Sequence, residues 1–264
     1  MKKNTSFAQF DEKFTTCILH NVNYITGKGL QFSNATNDIA YNNLRITFVD
    51  SHAETIPQLF YTFTNLEILQ MNNVGLRNIF TSSFQRASNL RVFHAYGNKI
   101  TLLDAHAFAE APKLEYLDLS RNKISNIHVS TFRGLRYLKE LSLIDNKISI
   151  ISEDTFAPLR NLTWIWLDKN DLKVISLNLF VHNAKLIGLN LNNNNISAFS
   201  TVLLDKLPNL NYLFLHGNNC TSSSFVNTVI AQNTNIKLQL STCYQVSICL
   251  FYRINFNVKN PEIP

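Results

Sequence analysis

Apolar residues recur with two superimposed periods along most of this chain. The short period is the alternation in stretches such as LEYLDL at 114–119, which predicts a strand of a few residues with its leucines on one face. The long period is 24 residues. LEILQMNNVGL at 66–76 is followed by LRVFHAYGNKI at 90–100, LEYLDLSRNKI at 114–124, LKELSLIDNKI at 138–148, LTWIWLDKNDL at 162–172, LIGLNLNNNNI at 186–196 and LNYLFLHGNNC at 210–220. A unit this short cannot bury its apolar face alone, so the pattern predicts turns of a solenoid stacked on one another. A weaker turn precedes them, with Ile46, Phe48, Ala53 and Ile56 at the inward positions.

Two further columns run through the repeats. Asn98, Asn122, Asn146, Asn170, Asn194 and Asn218 recur where each chain segment leaves its strand, and an amide there can satisfy backbone groups of neighbouring turns. Phe60, Phe84, Phe108, Phe132, Phe156 and Phe180, then Leu204, stand six residues before each start and predict a stacked aromatic spine toward the convex side. Val74 interrupts the asparagine column and Ala95 replaces a core leucine, so stability is expected to be lowest toward the N-terminal end.

With leucines inward, the intervening residues must face outward on the concave side. One such column reads Ile68, Val92, Tyr116, Glu140, Trp164, Gly188, Tyr212; the next reads Gln70, His94, Asp118, Ser142, Trp166, Asn190, Phe214. The third is Asn72, Tyr96, Ser120, Ile144, Asp168, Asn192, His216, with basic Arg121, Lys139 and Lys169 at the margin. Exposed aromatic rings framed by polar groups are the material of protein-binding hot spots. Tyr96, Tyr116, Asp118, Trp164, Trp166, Asp168, Tyr212 and Phe214 are therefore the candidate ligand-binding residues. The competing expectation is that these rings only pack on one another as cross-strand neighbours.

Catalytic and metal-binding patterns are missing from the sequence: it has no HExxH, P-loop or GxSxG, and its seven histidines lack metal-ligand spacing. No catalytic residue, metal or cofactor is expected. At 45% hydrophobic over 264 residues the chain is an ordered, folded one. Its net charge of +6 contains no basic block longer than Lys2-Lys3, which argues against a nucleic-acid partner. No apolar run reaches the roughly 18–20 residues of a bilayer-spanning helix. The start MKKNTSFAQFDEKF has the lysines of a signal peptide without the apolar stretch behind them, so a signal peptide is not visible.

Four cysteines lie outside the main repeats or at their end. Seven to eight strands separate Cys17 from Cys220, Cys243 and Cys249 by roughly 35 Å, too far for a bridge within one chain. For Cys17, followed by Ile18 and Leu19, burial as a thiol is the simplest expectation. Sequons occur at Asn4, Asn34, Asn161, Asn195 and Asn219, of which Asn34, Asn161, Asn195 and Asn219 are the glycosylation candidates. Together with the cysteines they point to a secreted, extracellular chain.

The pattern LxxLxLxxNxL is that of the leucine-rich repeat family, which this chain resembles over residues 44 to 220. The resemblance implies an α/β solenoid: a horseshoe with a parallel concave β-sheet and a mostly irregular or short-helical convex side. It divides the chain into an N-terminal cap at 1–43, repeats at 44–219, and a C-terminal cap and tail at 220–264. The segment from Cys220 to Cys243 resembles the C-terminal flanking module of extracellular members, which implies a Cys220–Cys243 disulfide and leaves Cys249 for a possible link between chains. The opening CILHNVNYI and the Asn-rich turns are similar to arthropod members, the secreted leucine-rich immune proteins and Toll-like receptor ectodomains. The resemblance thus implies a non-catalytic recognition protein that binds a protein or glycoconjugate ligand in innate immunity. The alternatives are a structural or adhesive ectodomain fragment of a receptor or matrix protein, and an intracellular leucine-rich repeat scaffold.

Overall fold

The computed structural model describes residues 15–24, 44–61, 63–221, 223–226, 230–241 and 243. Asn4, Asn34, Cys249 and the tail after 243 lie outside the described residues, as does most of the segment expected to form the N-terminal cap.

The alternating stretches form one ten-stranded sheet whose spatial order follows the chain. Its strands are β1 (Thr15–His20), β2 (Leu44–Val49), β3 (Leu66–Gln70), β4 (Val92–His94) and β5 (Tyr116–Asp118), then β6 (Glu140–Ser142), β7 (Trp164–Trp166), β8 (Gly188–Asn190), β9 (Tyr212–Phe214) and β10 (Ser224–Val226). The first nine are parallel, and β10 closes the C-terminal edge antiparallel to β9. The result is a parallel-strand solenoid of about seven stacked turns with little helix. Register is fixed by the repeat: Tyr116, Glu140, Trp164, Gly188 and Tyr212 are successive partners across β5 to β9.

The leucines of each turn are fully buried, as Leu114, Leu117 and Leu119 illustrate. Phe108 stacks on Phe132 at 6.1 Å, Phe132 on Phe156 at 6.0 Å and Phe156 on Phe180 at 5.6 Å, a continuous aromatic column. The convex connections are turns, with 3-10 segments at Thr81–Phe84 and Thr201–Lys206.

Three residues past the end of each strand from β3 to β9 stands a residue of left-handed conformation, which redirects the chain onto the turn. Asn73, Gly97, Arg121, Asp145, Lys169, Asn193 and Gly217 hold φ between 52° and 72°. Asn and Gly adopt this region readily; for Arg121 and Lys169 it costs about 1–2 kcal/mol each. Except after Asn73, where Val74 follows, the next residue is the column asparagine. Asn146 accepts from the Ile124 N–H at 3.0 Å and donates to the Leu119 and Leu143 carbonyls at 3.0 and 3.1 Å, tying its own turn to the preceding one. Asn122, Asn170 and Asn194 repeat the pattern.

The two departures near the N-terminus are met locally. The Ala53 N–H, which an asparagine at 74 would serve, donates instead to the Val74 carbonyl at 2.8 Å. Beside Ala95, Phe93 occupies a leucine position and packs edge-on against Phe84 at 5.1 Å, supplying bulk that Ala95 lacks. In the first turn Ser51 takes the ladder position: its hydroxyl accepts from the Val22 N–H at 3.0 Å and donates to the Val49 carbonyl. A register shift between β2 and β3 places it one residue off the 24-residue count.

The C-terminal end is covered by β10 and by a helix over residues 234–241, whose Ile236 and Leu240 join the core. Cys220 and Cys243 are disulfide-bonded, with Cα atoms 4.9 Å apart, fastening the helix to the last repeat. Cys17 is a half-buried free thiol on β1, packed against the core. Among the described residues no helix is long and apolar enough to cross a membrane, and no three His, Cys, Asp or Glu side chains converge to hold a metal ion.

Candidate functional site

The concave face is set by the strand register, because turns 24 residues apart stand side by side at the spacing of a sheet. A long side chain there can lie over a short neighbour. Trp164 does so: its indole covers Gly188, where an added Cβ would fall 2.1 Å from the ring carbons Cε3 and Cζ3. Having crossed β8, the indole meets Tyr212 on β9 with ring centroids 5.2 Å apart. On its other side it stacks on Trp166 at 5.5 Å, the planes 15° apart. Three rings from two strands thus form one array, each half-buried and half in solvent. Phe214 lies beside it at the C-terminal end of β9, also half-buried.

Polar groups frame the array. Asp168 accepts from the Asn190 amide at 3.0 Å, and Asn190 in turn accepts from the Asn192 N–H at 3.0 Å. Tyr116 is half-buried on β5. Tyr96, further toward the N-terminus, lies under the Arg121 guanidinium at 5.3 Å from the ring centre.

Not every outward residue is presented to a ligand. Asp118 is only 6% exposed: its carboxylate accepts from the Ser120 N–H at 2.9 Å and lies 4.0 Å from His94 Nδ1. Its expected place among the ligand-binding residues is corrected accordingly, and it is a bracket within the sheet. The cause is the close spacing of turns, which roofs short side chains between larger ones. Ser142, Ile68 and Val92 are covered in the same way.

Glu140 was not among the candidate residues, although its column is visible in the sequence. It lies half-buried between its register partners Tyr116 and Trp164. Burial pushes its pKa up, offset in part by nearby Lys139. Burial also raises the Tyr116 phenol, with the Glu140 charge adding to it. Among the described residues no hydrogen bond or ion pair reaches the Glu140 carboxylate.

Along the edge where the strands begin, opposite charges alternate turn by turn. Arg91 reaches Glu67 at 3.5 Å and Glu115 at 2.7 Å, and Lys139 binds Glu115 at 2.6 Å. Burial works against the Glu115 charge, but hydrogen bonds from Arg91 and Lys139 outweigh it and hold the carboxyl below its usual range. A groove of about 680 Å³ borders this row, lined in part by Lys113, Tyr137, Asn161 and Lys185. The sequon residue Asn161 is engaged there, donating to the Arg136 carbonyl and accepting from Lys185, both at 2.6 Å. Asn195 and Asn219 are exposed, although the Asn219 amide donates to the Asn195 carbonyl at 3.1 Å.

Similar architecture occurs in solved ectodomains and complexes. The structure of the LRIM1/APL1C complex matches 76% of this chain and 45% of its own, at 23% identity and a TM-score of 0.62. The Drosophila Toll–Spätzle complex matches 67% of this chain and 24% of its own, at 22% identity and a TM-score of 0.61. The TLR13–ssRNA13 complex matches 67% and 25%, at 25% identity and a TM-score of 0.60. The chain thus spans about a quarter to a half of the length of these neighbours. Among curated proteins no sequence match is found. The leucine rich repeat family model matches residues 64–124, 112–172 and 160–219, more than half of the sequence, and the chain belongs to the leucine-rich repeat family.

Proposed function

We propose that this chain is a non-catalytic recognition protein, acting outside the cell, that binds a protein ligand on its concave face. The observation that carries the reading is the Trp166–Trp164–Tyr212 array, three half-exposed rings held in one place by a glycine that leaves room for the central indole. Large rings fixed before binding lose little conformational freedom when a partner covers them, which is why such residues dominate binding energies. The Cys220–Cys243 bridge and the exposed sequons at Asn195 and Asn219 support an extracellular setting. The neighbours named for Toll and LRIM1 favour a role in innate immunity, with the ligand a protein or a glycoconjugate.

The test is paired capture. Wild type and Trp164→Ala/Trp166→Ala, both secreted from eukaryotic cells and verified by intact mass, are immobilised and exposed to extracellular fluid. A partner retained only by wild type supports concave recognition. Equal retention by both proteins overturns it in favour of a rigid adhesive or spacer ectodomain, a role in which the rings need only pack on one another. A product that carries four free thiols and no glycan overturns the extracellular assignment.

A further inference from the structure

From β3 to β9 the outward columns of the concave face carry a charge opposite to that of the whole molecule, whereas Arg45 holds the same column on β2. The chain carries +6, yet the three outward columns from Ile68 to His216 contain the carboxylates Asp118, Glu140 and Asp168 and no lysine or arginine. Two of these acids are occupied within the sheet, Asp118 by the Ser120 N–H and Asp168 by the Asn190 amide. Glu140 is different: it is half-buried, and among the described residues nothing donates to it. Its chain neighbour Lys139 is held by Glu115 at 2.6 Å on the strand edge. Tyr116 and Trp164 are its register partners on the adjacent strands, the Trp164 indole leaning away over Gly188.

Resting on the concave-face reading above, we propose that Glu140, between Tyr116 and Trp164, receives an arginine or lysine side chain of the protein ligand. A carboxylate beside a tyrosine is suited to a cation: the acid supplies a charge-assisted hydrogen bond and the Tyr116 ring offers cation–π attraction. Guanidinium fits better than ammonium, since it binds the carboxylate through two parallel N–H groups and stacks flat on rings. A partly desolvated acid without a donor is unfavourable in the isolated protein, and the arriving cation removes that penalty. Charge complementarity therefore selects a basic segment as the occupant of this face.

Trp164 and Trp166 are the only tryptophans of the chain and stand on the strand beside Glu140, so intrinsic emission reports on occupation of this part of the face. The experiment titrates the folded, disulfide-intact protein with hexa-arginine and hexa-glutamate peptides at physiological ionic strength. The variant Glu140→Gln removes the charge while keeping size and register. The expected result is saturable quenching by hexa-arginine, at least tenfold weaker in Glu140→Gln, and none by hexa-glutamate. The net positive charge of the molecule opposes a polycation elsewhere, so binding of hexa-arginine marks a local acidic site.

No response to hexa-arginine, equal affinity in Glu140→Gln, or a preference for hexa-glutamate would each overturn the proposal. These failures are separable from failure of concave recognition. If Glu140→Gln binds hexa-arginine normally while Trp164→Ala still abolishes capture of the partner, only the cation seat is lost. Circular dichroism and the melting temperature of Glu140→Gln establish that the variant is folded.

Discussion

Replacing Asn146 by alanine isolates what one rung of the asparagine ladder contributes. The side chain is 8% exposed and lies in the middle of the stack, with complete turns on either side. Its carbonyl is the acceptor for the Ile124 N–H at 3.0 Å, and Ile124 is fully buried, so truncation leaves a donor that water does not reach. An orphaned buried donor costs about 2 kcal/mol. The carbonyls of Leu119 and Leu143 also lose a bond, but each keeps another: Leu119 still accepts from Asn122 at 2.9 Å and Leu143 from Asn170 at 2.9 Å. Those two losses cost about 1 kcal/mol each, giving about 4 kcal/mol in all. The assay is denaturant unfolding followed by circular dichroism, with hydrogen exchange at the Ile124 amide as the local readout. The same change at Asn218, whose bonds are only partly buried, should cost about half as much. A loss under about 1 kcal/mol at Asn146, with the Ile124 amide still protected, would refute the assignment of the column as a stabilising ladder.

Further outcomes follow from other positions. Lys169→Asn should raise stability by about 1 kcal/mol, because φ of 57° strains lysine more than asparagine; an unchanged melting temperature would contradict this. Opening the disulfide by Cys220→Ala/Cys243→Ala releases a link across 23 residues and should cost about 3 kcal/mol in thermal or chemical unfolding. Gly188→Ala should push the Trp164 indole off β8, shift tryptophan emission and abolish partner capture, while unfolding changes by only about 1 kcal/mol. Because burial raises the folded-state pKa of Glu140 above its unfolded value, its ionisation penalises the fold as pH rises through the window between them. Glu140→Gln should therefore melt higher than wild type at neutral pH, the difference vanishing in acid below the ordinary glutamate range.

The solenoid is legible in the sequence because one turn encodes it and seven copies repeat the statement. Inward leucines, the asparagine column and the phenylalanine spine each depend on contacts with the adjacent turn, and the 24-residue count finds that turn directly. The first turn is harder to read. The register shift beside Leu44 and Arg45 moves Ser51 one place off the count, so its role in the ladder is hidden. Depth on the concave face is also hidden, because it is decided by the sizes of both lateral neighbours. Asp118 points outward by alternation yet is covered, and Trp164 stays reachable because residue 188 has no side chain. Glu140 carries no motif; its significance comes from Tyr116 and Trp164 beside it and from the diversion of Lys139 to Glu115.

The row Glu67, Arg91, Glu115, Lys139 gives this part of the molecule a second period, twice as long as the structural one. Excising a single turn, residues 90–113, would bring Glu67 beside Glu115 and leave two carboxylates in mutual repulsion. Excising two turns, residues 90–137, would bring Glu67 beside Lys139 and restore attraction. Along this edge the natural unit of duplication or loss is therefore a pair of turns, and shortened variants should be cut in steps of 48 residues.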